Sequence, residues 1–202
     1  EIEKYMQNKT FRLFVSSTFS DFNEERKLLQ TIVFPEIKKY CRDNGLNFQP
    51  IDLRWGVSEE ASNDQKTLNL CLEEVQNSKY HPYPNFLIMV GDRYGWVPLP
   101  YAIEQNEYEI LLQNIDDLSD KKLLNIWYKL DENQIPASYI LNERKKADNS
   151  HDGTDYTNKN NWKIVENQLK TILQTSVKKS DLNEKQKRKY FTSATEAEVI
   201  EG

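Results

Sequence analysis

The stretch "FRLFVSSTFSDFNEER", residues 11–26, decides the fold that the sequence predicts. Its apolar side chains predict a short buried strand over residues 11–15. Three hydroxyl residues, 16–18, follow this strand, and acidic residues typical of a helix start come next. Ser20 or Asp21 is placed to cap that helix. Hydroxyls at the end of a buried strand belong either to a turn and helix cap or to the floor of a binding site.

Two further strands extend this pattern into parallel βαβ units. Strands are predicted over residues 47–55 and 85–91, and a helix over 64–78 lies between them. Short connections between alternating strands and helices favour a parallel sheet with right-handed crossovers. Sites in such sheets lie beyond the carboxyl ends of the strands. The segments that follow the three strands are "SSTF", "LRWGV" and "GDRYGW".

Residues 102–190 interrupt this rhythm and are predicted to form a helical insertion. The helical segments are expected at 104–113, 118–130 and 162–176, and the polar stretch 146–161 favours a mobile loop. We therefore divide the chain into four parts. These are an N-terminal lead (1–10), an α/β core (11–101), the insertion (102–190) and a return to the core (191–202). An unfinished last helix predicts that the chain is a fragment of a longer protein.

Composition and charge narrow the class of protein. The formal charge of −5 does not indicate the positively charged surface that nucleic-acid-binding proteins use, so we expect no nucleic-acid partner. No apolar run approaches the length that spans a bilayer, so we expect no membrane partner. Cys41 and Cys71 are not spaced as a pair, which favours two buried thiols in a cytoplasmic protein. His81 and His151 are the only histidines, and no grouping has metal-ligand spacing.

Five stretches, in this order, resemble a known family. They are "FRLFVSSTFSDFNEER", "IDLRWGVSEEAS", "FLIMVGDRYGWVPLP", "WYKLDENQIPASYIL" and "TSATEAEVIEG". Together they resemble the TIR-like N-terminal domain of STAND NTPases that carry NACHT and WD-repeat regions. This group includes telomerase-associated protein, nephrocystin-like proteins and bacterial defence relatives. The resemblance implies a flavodoxin-like, TIR-like fold with the insertion after the third strand. It also implies a module that self-associates through its parent protein in an innate immune or antiviral defence response.

The resemblance further implies a candidate catalytic carboxylate. Catalytic TIR domains cleave the nicotinamide–ribose bond of NAD through an oxocarbenium-like state, which requires one carboxylate near the ribose. The family's "S-x-T-E-x-E" pattern reads Ser193, Thr195, Glu196 and Glu198 here, with Glu198 as the positional counterpart. Glu196 lies about 200° away around a helix, so both glutamates cannot face one pocket. Both can also be ordinary first-turn acids that the helix dipole stabilises.

Further residues at the carboxyl edge of the sheet are candidates for ligand contact. Arginine binds phosphate bidentately, and aromatic rings stack on nucleobases. Each candidate also has a structural alternative, such as an ion pair between Asp92 and Arg93. Asp21 and Arg26 we assign to helix capping and ion pairing, with Arg26 reaching an acidic loop. The ligand-binding candidates are Ser16, Ser17, Thr18, Arg54, Trp55, Asp92, Arg93 and Tyr94.

Three functions therefore remain open. The first is a signalling or effector domain that cleaves NAD, with NAD as substrate, no tightly bound cofactor and Glu198 as the carboxylate. This function requires Glu198 to lie within about 10 Å of residues 16–18 or Arg93, because catalytic groups work at contact distance. The second is a non-catalytic scaffold whose insertion docks a protein partner, and the third is a nucleotide sensor. The long insertion and the absence of an "SxxWCxxE" segment are departures from catalytic TIR domains.

Overall fold

A computed structural model describes residues 9–18, 21–53, 62–63 and 65–202, and these form two compact units. The parallel-sheet unit contains the described residues of Glu1–Val57 together with Leu68–Trp96 and Ser193–Gly202. The antiparallel-sheet unit contains the described residues of Ser58–Thr67 together with Val97–Thr192. The second unit is therefore inserted, along the chain, into the first.

The parallel-sheet unit has the strand predicted from residues 11–15 at its centre. Strand β1 (Thr10–Ser16) lies between β2 (Asn47–Ile51) and β3 (Phe86–Ile88), in the order β2-β1-β3. Both pairings are parallel, and Phe14 is opposite Ile51 on one side and Phe86 on the other. Two crossover connections are needed to build this order, and helices supply them. The α/β, flavodoxin-like fold predicted from the sequence is confirmed.

Both faces of β1 are covered, which explains why its sequence does not alternate between apolar and polar residues. Leu13 and Val15 pack with Phe34 on one face. Phe14 packs with Cys71 and Val75 on the other face. A strand covered on both sides gains hydrophobic stabilisation from the apolar side chains of both faces, as in other parallel sheets.

The helices of this unit differ from the sequence prediction mainly at their starts. Helix α1 (Asn23–Leu28) continues through a π-helical segment (Leu29–Val33) into α2 (Phe34–Asp43). The π-helical segment ends at Val33, two residues before Pro35, whose nitrogen cannot donate a hydrogen bond. Phe22, with φ 59°, occupies the N-cap of α1.

The prediction that Ser20 or Asp21 stands at this N-cap is therefore corrected for Asp21. Ser20 lies outside the described residues.

The other helices described in this unit are α3 (Thr67–Lys79) and α8 (Ala194–Glu201). Ser193 caps α8 by accepting the Glu196 N–H at 3.1 Å.

The backbone joins the two ends of the inserted segment directly. The N–H of Ala194 donates to the carbonyl of Trp96 at 2.9 Å. The chain thus leaves the parallel-sheet unit after Trp96 and returns to it beside Trp96, after the intervening residues 97–192.

The antiparallel-sheet unit differs from the helical insertion that the sequence predicts. Strands β4 (Ala102–Glu104), β5 (Tyr128–Asp131) and β6 (Ser138–Leu141) form an antiparallel sheet in the order β4-β6-β5. The helix predicted over residues 118–130 ends at Trp127, and its last residues enter β5 instead. The α-helices described in the antiparallel-sheet unit are α4 (Gln105–Gln113), α5 (Leu118–Trp127), α6 (Lys159–Lys179) and α7 (Glu184–Arg188).

A large aromatic and aliphatic core holds this unit together. Helix α6 buries one face, including Trp162, Leu169 and Leu173, against the sheet and the other helices. The stretch 146–161, for which the sequence favours a mobile loop, contains a short 3-10 helix (Ala147–Asn149) and buries Tyr156 in the core. In the part of the chain that the structure describes, no helix is long and apolar enough to cross a membrane.

Helix α5 offers a matched test of this core. Leu124 is 0% exposed, whereas Leu118 on the same helix is 71% exposed. We expect Leu124→Ala to lower the free energy of unfolding by about 2–5 kcal/mol, since it leaves a cavity. Leu118→Ala is expected to change it by less than about 0.5 kcal/mol. Urea unfolding followed by circular dichroism measures both, and equal effects would contradict the core assignment.

Candidate functional site

A buried hydrogen bond connects the end of the first strand to the last helix. Ser16, the final residue of β1, donates its hydroxyl to a carboxylate oxygen of Glu198 on α8. Both side chains are buried, with Ser16 1% and Glu198 7% exposed. Glu198 thus lies at contact distance from the hydroxyl residues, as its predicted catalytic role requires. The contact places a carboxyl group at the carboxyl edge of the parallel sheet.

The two glutamates of α8 lie in different surroundings. Glu196 accepts a hydrogen bond from the hydroxyl of Tyr94, a side chain that is more than half exposed. The same Tyr94 hydroxyl accepts the Ser193 N–H at 3.3 Å. Tyr94, a ligand-binding candidate, therefore contacts the start of α8. Only Glu198 reaches the buried edge of the sheet.

Cys71 is a residue of this site to which the sequence analysis gave no functional role. Its thiol lies on α3, is buried, and is hydrogen-bonded to Glu198. Burial and the nearby Glu198 charge raise the pKa of the Cys71 thiol to about 12. The thiol is therefore protonated at neutral pH and is a poor nucleophile. Both Cys71 and Cys41 are buried and free, as predicted.

A second buried group lies around Arg26. Its Nε and Nη2 donate to the hydroxyl of Ser17 at 3.0 and 2.7 Å. Its Nη1 forms an ion pair with Asp52, which follows β2, and both side chains are almost fully buried. The sequence predicted an ion pair between Arg26 and an acidic loop, and Asp52 is that acid. Charge and hydrogen bonding thus link α1 to two strand ends of the sheet.

The third hydroxyl, Thr18, binds the loop after β3 indirectly. Its Oγ1 donates to Asp21 at 2.6 Å, and Asp21 pairs with Arg93 Nε at 3.3 Å. Arg93 is mostly exposed, and Asp92 beside it is exposed too. The loop ion pair that was expected between Asp92 and Arg93 is therefore replaced by one with Asp21.

Gly95 allows this loop to approach Thr18 closely. Its φ is +96°, in the region that favours glycine, and a Cβ there would lie 3.2 Å from Thr18 Cγ2. The same Cβ would lie 3.5 Å from Thr195 Oγ1. A side chain at position 95 would push the loop away from both residues.

Burial dominates the electrostatics of Glu198. It raises the pKa of the Glu198 carboxyl, while hydrogen bonds from Ser16 and Cys71 and the charge of Arg26 partly lower it. A buried carboxyl group with a raised pKa is a common feature of general acid and base catalysts. Such a group can also be a structural hydrogen-bond centre.

Two ligand-binding candidates, Arg54 and Trp55, lie outside the described residues. Among the residues that the structure describes, no group of three or more His, Cys, Asp or Glu side chains is placed to hold a metal ion. The site therefore consists of Ser16, Glu198 and Cys71 on one side and Ser17, Arg26 and Asp52 on the other, within one unit.

Comparison with known proteins places residues 12–191 in the family described as "Domain of unknown function (DUF4062)". This match ends before Glu198. No solved structure matches the chain significantly.

Several curated relatives carry names that agree with the resemblance found in the sequence. Human NACHT and WD repeat domain-containing protein 2 is 31% identical over 94% of the chain. Mouse NACHT domain- and WD repeat-containing protein 1 is 37% identical over 58% of the chain. Mouse telomerase protein component 1 is 36% identical over 50% of the chain. The chain spans only 12%, 8% and 4% of these relatives, respectively.

The Arg26–Asp52 pair predicts a large stability effect. Arg26→Ala is expected to lower the free energy of unfolding by about 3–5 kcal/mol, because it leaves Asp52 buried without its cation. Lys27→Ala, at the exposed neighbouring position, is the control and should change it by less than about 0.5 kcal/mol. The double variant Arg26→Met/Asp52→Leu should be less destabilised than Arg26→Ala. Urea unfolding measures all three, and a loss below about 1 kcal/mol for Arg26→Ala would refute the prediction.

The raised pKa of Glu198 predicts a pH dependence of stability. Above the ordinary value of 4.5, the folded chain holds a proton that the unfolded chain releases, so wild-type stability falls as pH rises through the folded pKa. Each unit of raised pKa corresponds to about 1.4 kcal/mol. Glu198→Gln removes this loss, so its stability relative to wild type should increase between pH 4.5 and pH 8.

Unfolding free energies measured in urea across this range provide the test. Glu196→Gln removes a carboxylate from the same helix and controls for the helix charge. The gain of Glu198→Gln over Glu196→Gln should grow with pH, and a constant difference would show that the buried carboxyl does not titrate as described.

Proposed function

The chain belongs to the DUF4062 family, and from this premise we propose that it is the TIR-like N-terminal effector domain of a STAND NTPase. Relatives named for NACHT and WD repeats support this assignment, as does the parallel α/β sheet. The ATPase and sensor repeats would then belong to other parts of a longer protein. We assign the domain to a cytoplasmic immune or defence response that begins when parent proteins self-associate.

The proposed activity is hydrolysis of NAD to nicotinamide and ADP-ribose. The observation that carries this proposal is the Glu198 carboxyl, held against Ser16 at the carboxyl edge of the sheet. In the reaction, the bond between ribose C1′ and the nicotinamide nitrogen breaks, and nicotinamide leaves with the bonding electrons. Water then adds its oxygen to C1′ and releases a proton. The ionised Glu198 would stabilise the positive charge that develops on the ribose.

Access to Glu198 explains why we link activity to self-association. The side chain is 7% exposed, so a ribose can contact it only after neighbouring groups move. We assign this opening to clustering of the domains. Ser17, Thr18 and Arg93 lie at the same edge of the sheet and are the proposed contacts for the rest of the nucleotide.

The second candidate function is a non-catalytic scaffold. It is favoured by the same burial, because Ser16 and Cys71 already bond to Glu198 and a structural carboxyl needs no substrate. In this case the domain would act only by self-association and by binding a protein partner.

Forced oligomerisation separates the two functions. The 202-residue chain, fused to a coiled coil of defined oligomeric state, is incubated with NAD, and nicotinamide release is measured by chromatography. We expect release from the wild-type oligomer and a loss of about 100-fold or more in Glu198→Ala, since the carboxylate acts on the transition state. Glu196→Ala on the same helix is the matched control and should retain activity.

The outcomes distinguish the proposals clearly. Unchanged NAD at high local concentration would eliminate the enzymatic function and leave the scaffold. NAD loss that persists in Glu198→Ala would keep the enzymatic function and remove only Glu198 from the catalytic role. Circular dichroism of each variant shows whether a loss reflects unfolding.

A further inference from the structure

The antiparallel-sheet unit contains a cavity of its own, with a volume of about 700 Å³. Its wall is formed by the end of α5, by β5, by the end of β6 and by the stretch after the 3-10 helix. Backbone hydrogen bonds fix this wall, from Asn142 N–H to Trp127 at 2.7 Å and from Tyr156 N–H to Lys145 at 2.9 Å. Pockets of about 300–1,000 Å³ typically hold small organic ligands.

The charged groups that line the cavity are mainly positive. Among the lining residues that the structure describes, these are Lys66, Lys129 and Lys145 together with the carboxylate of Glu143, a formal charge of +2 from three cations and one anion. The whole chain carries −5, so this wall has the opposite sign to the protein. Lys145 pairs with Glu143 at 3.3 Å, and both side chains are about half exposed. Such exposed ion pairs contribute little to stability, so a ligand anion of higher charge can readily take the place of the carboxylate.

Aromatic rings form another part of the same wall. The rings of His151 and Tyr156 lie parallel, with an interplanar angle of 3° and centroids 5.6 Å apart. Trp127 meets both rings edge-on, at 6.0 and 4.9 Å. The hydroxyl of Tyr156 donates to Asp152 at 2.7 Å, which fixes the ring. Because His151 is partly exposed, its ring offers a face on which a planar ligand can stack.

Trp127 adds a polar group whose bonding is incomplete. Its indole Nε1–H is buried and has no hydrogen-bond acceptor among the residues that the structure describes. A buried donor without an acceptor costs about 1–3 kcal/mol. Trp127 is also one of the residues that line the cavity, so this unsatisfied donor belongs to the wall that a ligand would meet.

We propose that this cavity binds a nucleoside monophosphate or a ligand of the same chemistry, with a planar base stacked on His151 and a phosphate among the lysines. Three ammonium groups from separate parts of the unit suit the several oxygens of a phosphate, for which lysine acts as a point charge. The cavity lies within one unit and is independent of Glu198. The inserted unit then has a ligand-binding role of its own.

Isothermal titration calorimetry of the 202-residue chain with adenosine monophosphate and uridine monophosphate tests this proposal. We expect binding of at least one of them, with adenosine and inorganic phosphate each at least about tenfold weaker than adenosine monophosphate. Lys129→Ala/Lys145→Ala should weaken binding about tenfold, and His151→Ala should also weaken it. Lys122→Ala/Lys163→Ala is the matched control, because these exposed lysines of the same unit do not line the cavity.

Several results would overturn the proposal. The first is no heat of binding at millimolar concentrations of either monophosphate. The second is that the control variant Lys122→Ala/Lys163→Ala weakens binding as much as Lys129→Ala/Lys145→Ala does. Inorganic phosphate that binds as tightly as adenosine monophosphate would show that no ring is recognised. Variants that keep the wild-type circular dichroism spectrum distinguish a lost ligand contact from a lost fold. The cavity and Glu198 lie in different units, so failure of the NAD proposal leaves this one unaffected.

Discussion

The hydrogen bond from Ser16 to Glu198 is the contact on which the parallel-sheet unit depends. It joins two residues that are 182 positions apart in sequence, and it does so where water is excluded. A buried carboxyl without a partner would destabilise the fold, so β1 and α8 are each required to satisfy the other. Cys71 completes the arrangement from α3. Ser16, Cys71 and Glu198 thus stabilise the fold of this unit. Glu198 is also the only buried glutamate of α8.

Much of this architecture could be predicted from the sequence. The apolar residues of β1 predicted a short buried strand, and the structure buries Leu13 and Val15 on one of its faces and Phe14 on the other. The helical spacing of 200° between Glu196 and Glu198 predicted that only one of them would face the sheet. The structure places Glu198 against the sheet edge and Glu196 against Tyr94.

Other features could not be predicted, for physical reasons. Tyr128–Asp131 continues the apolar pattern of α5, and short apolar segments fit a strand and a helix equally well, so the antiparallel sheet was missed. The particular acid that pairs with Arg26 follows β2, 26 residues along the chain, and the role of Cys71 depends on Glu198, still further along it. Such contacts are determined by tertiary packing. The stretch 146–161 is polar enough to suggest a loop, yet a single residue, Tyr156, anchors it in the core.

The hydrogen bond between Trp96 and Ala194 has a consequence for the order of folding. An open connection of 96 residues, from Val97 to Thr192, must be closed before α8 can reach β1. Closure entropy grows by about 0.6 kcal/mol with each doubling of length, so four doublings from a six-residue turn add about 2.4 kcal/mol. If the inserted unit folds first, its compact form brings the two ends together and removes most of this barrier. The late-forming element is then α8, and the surroundings of Glu198 are the last part of the chain to be assembled.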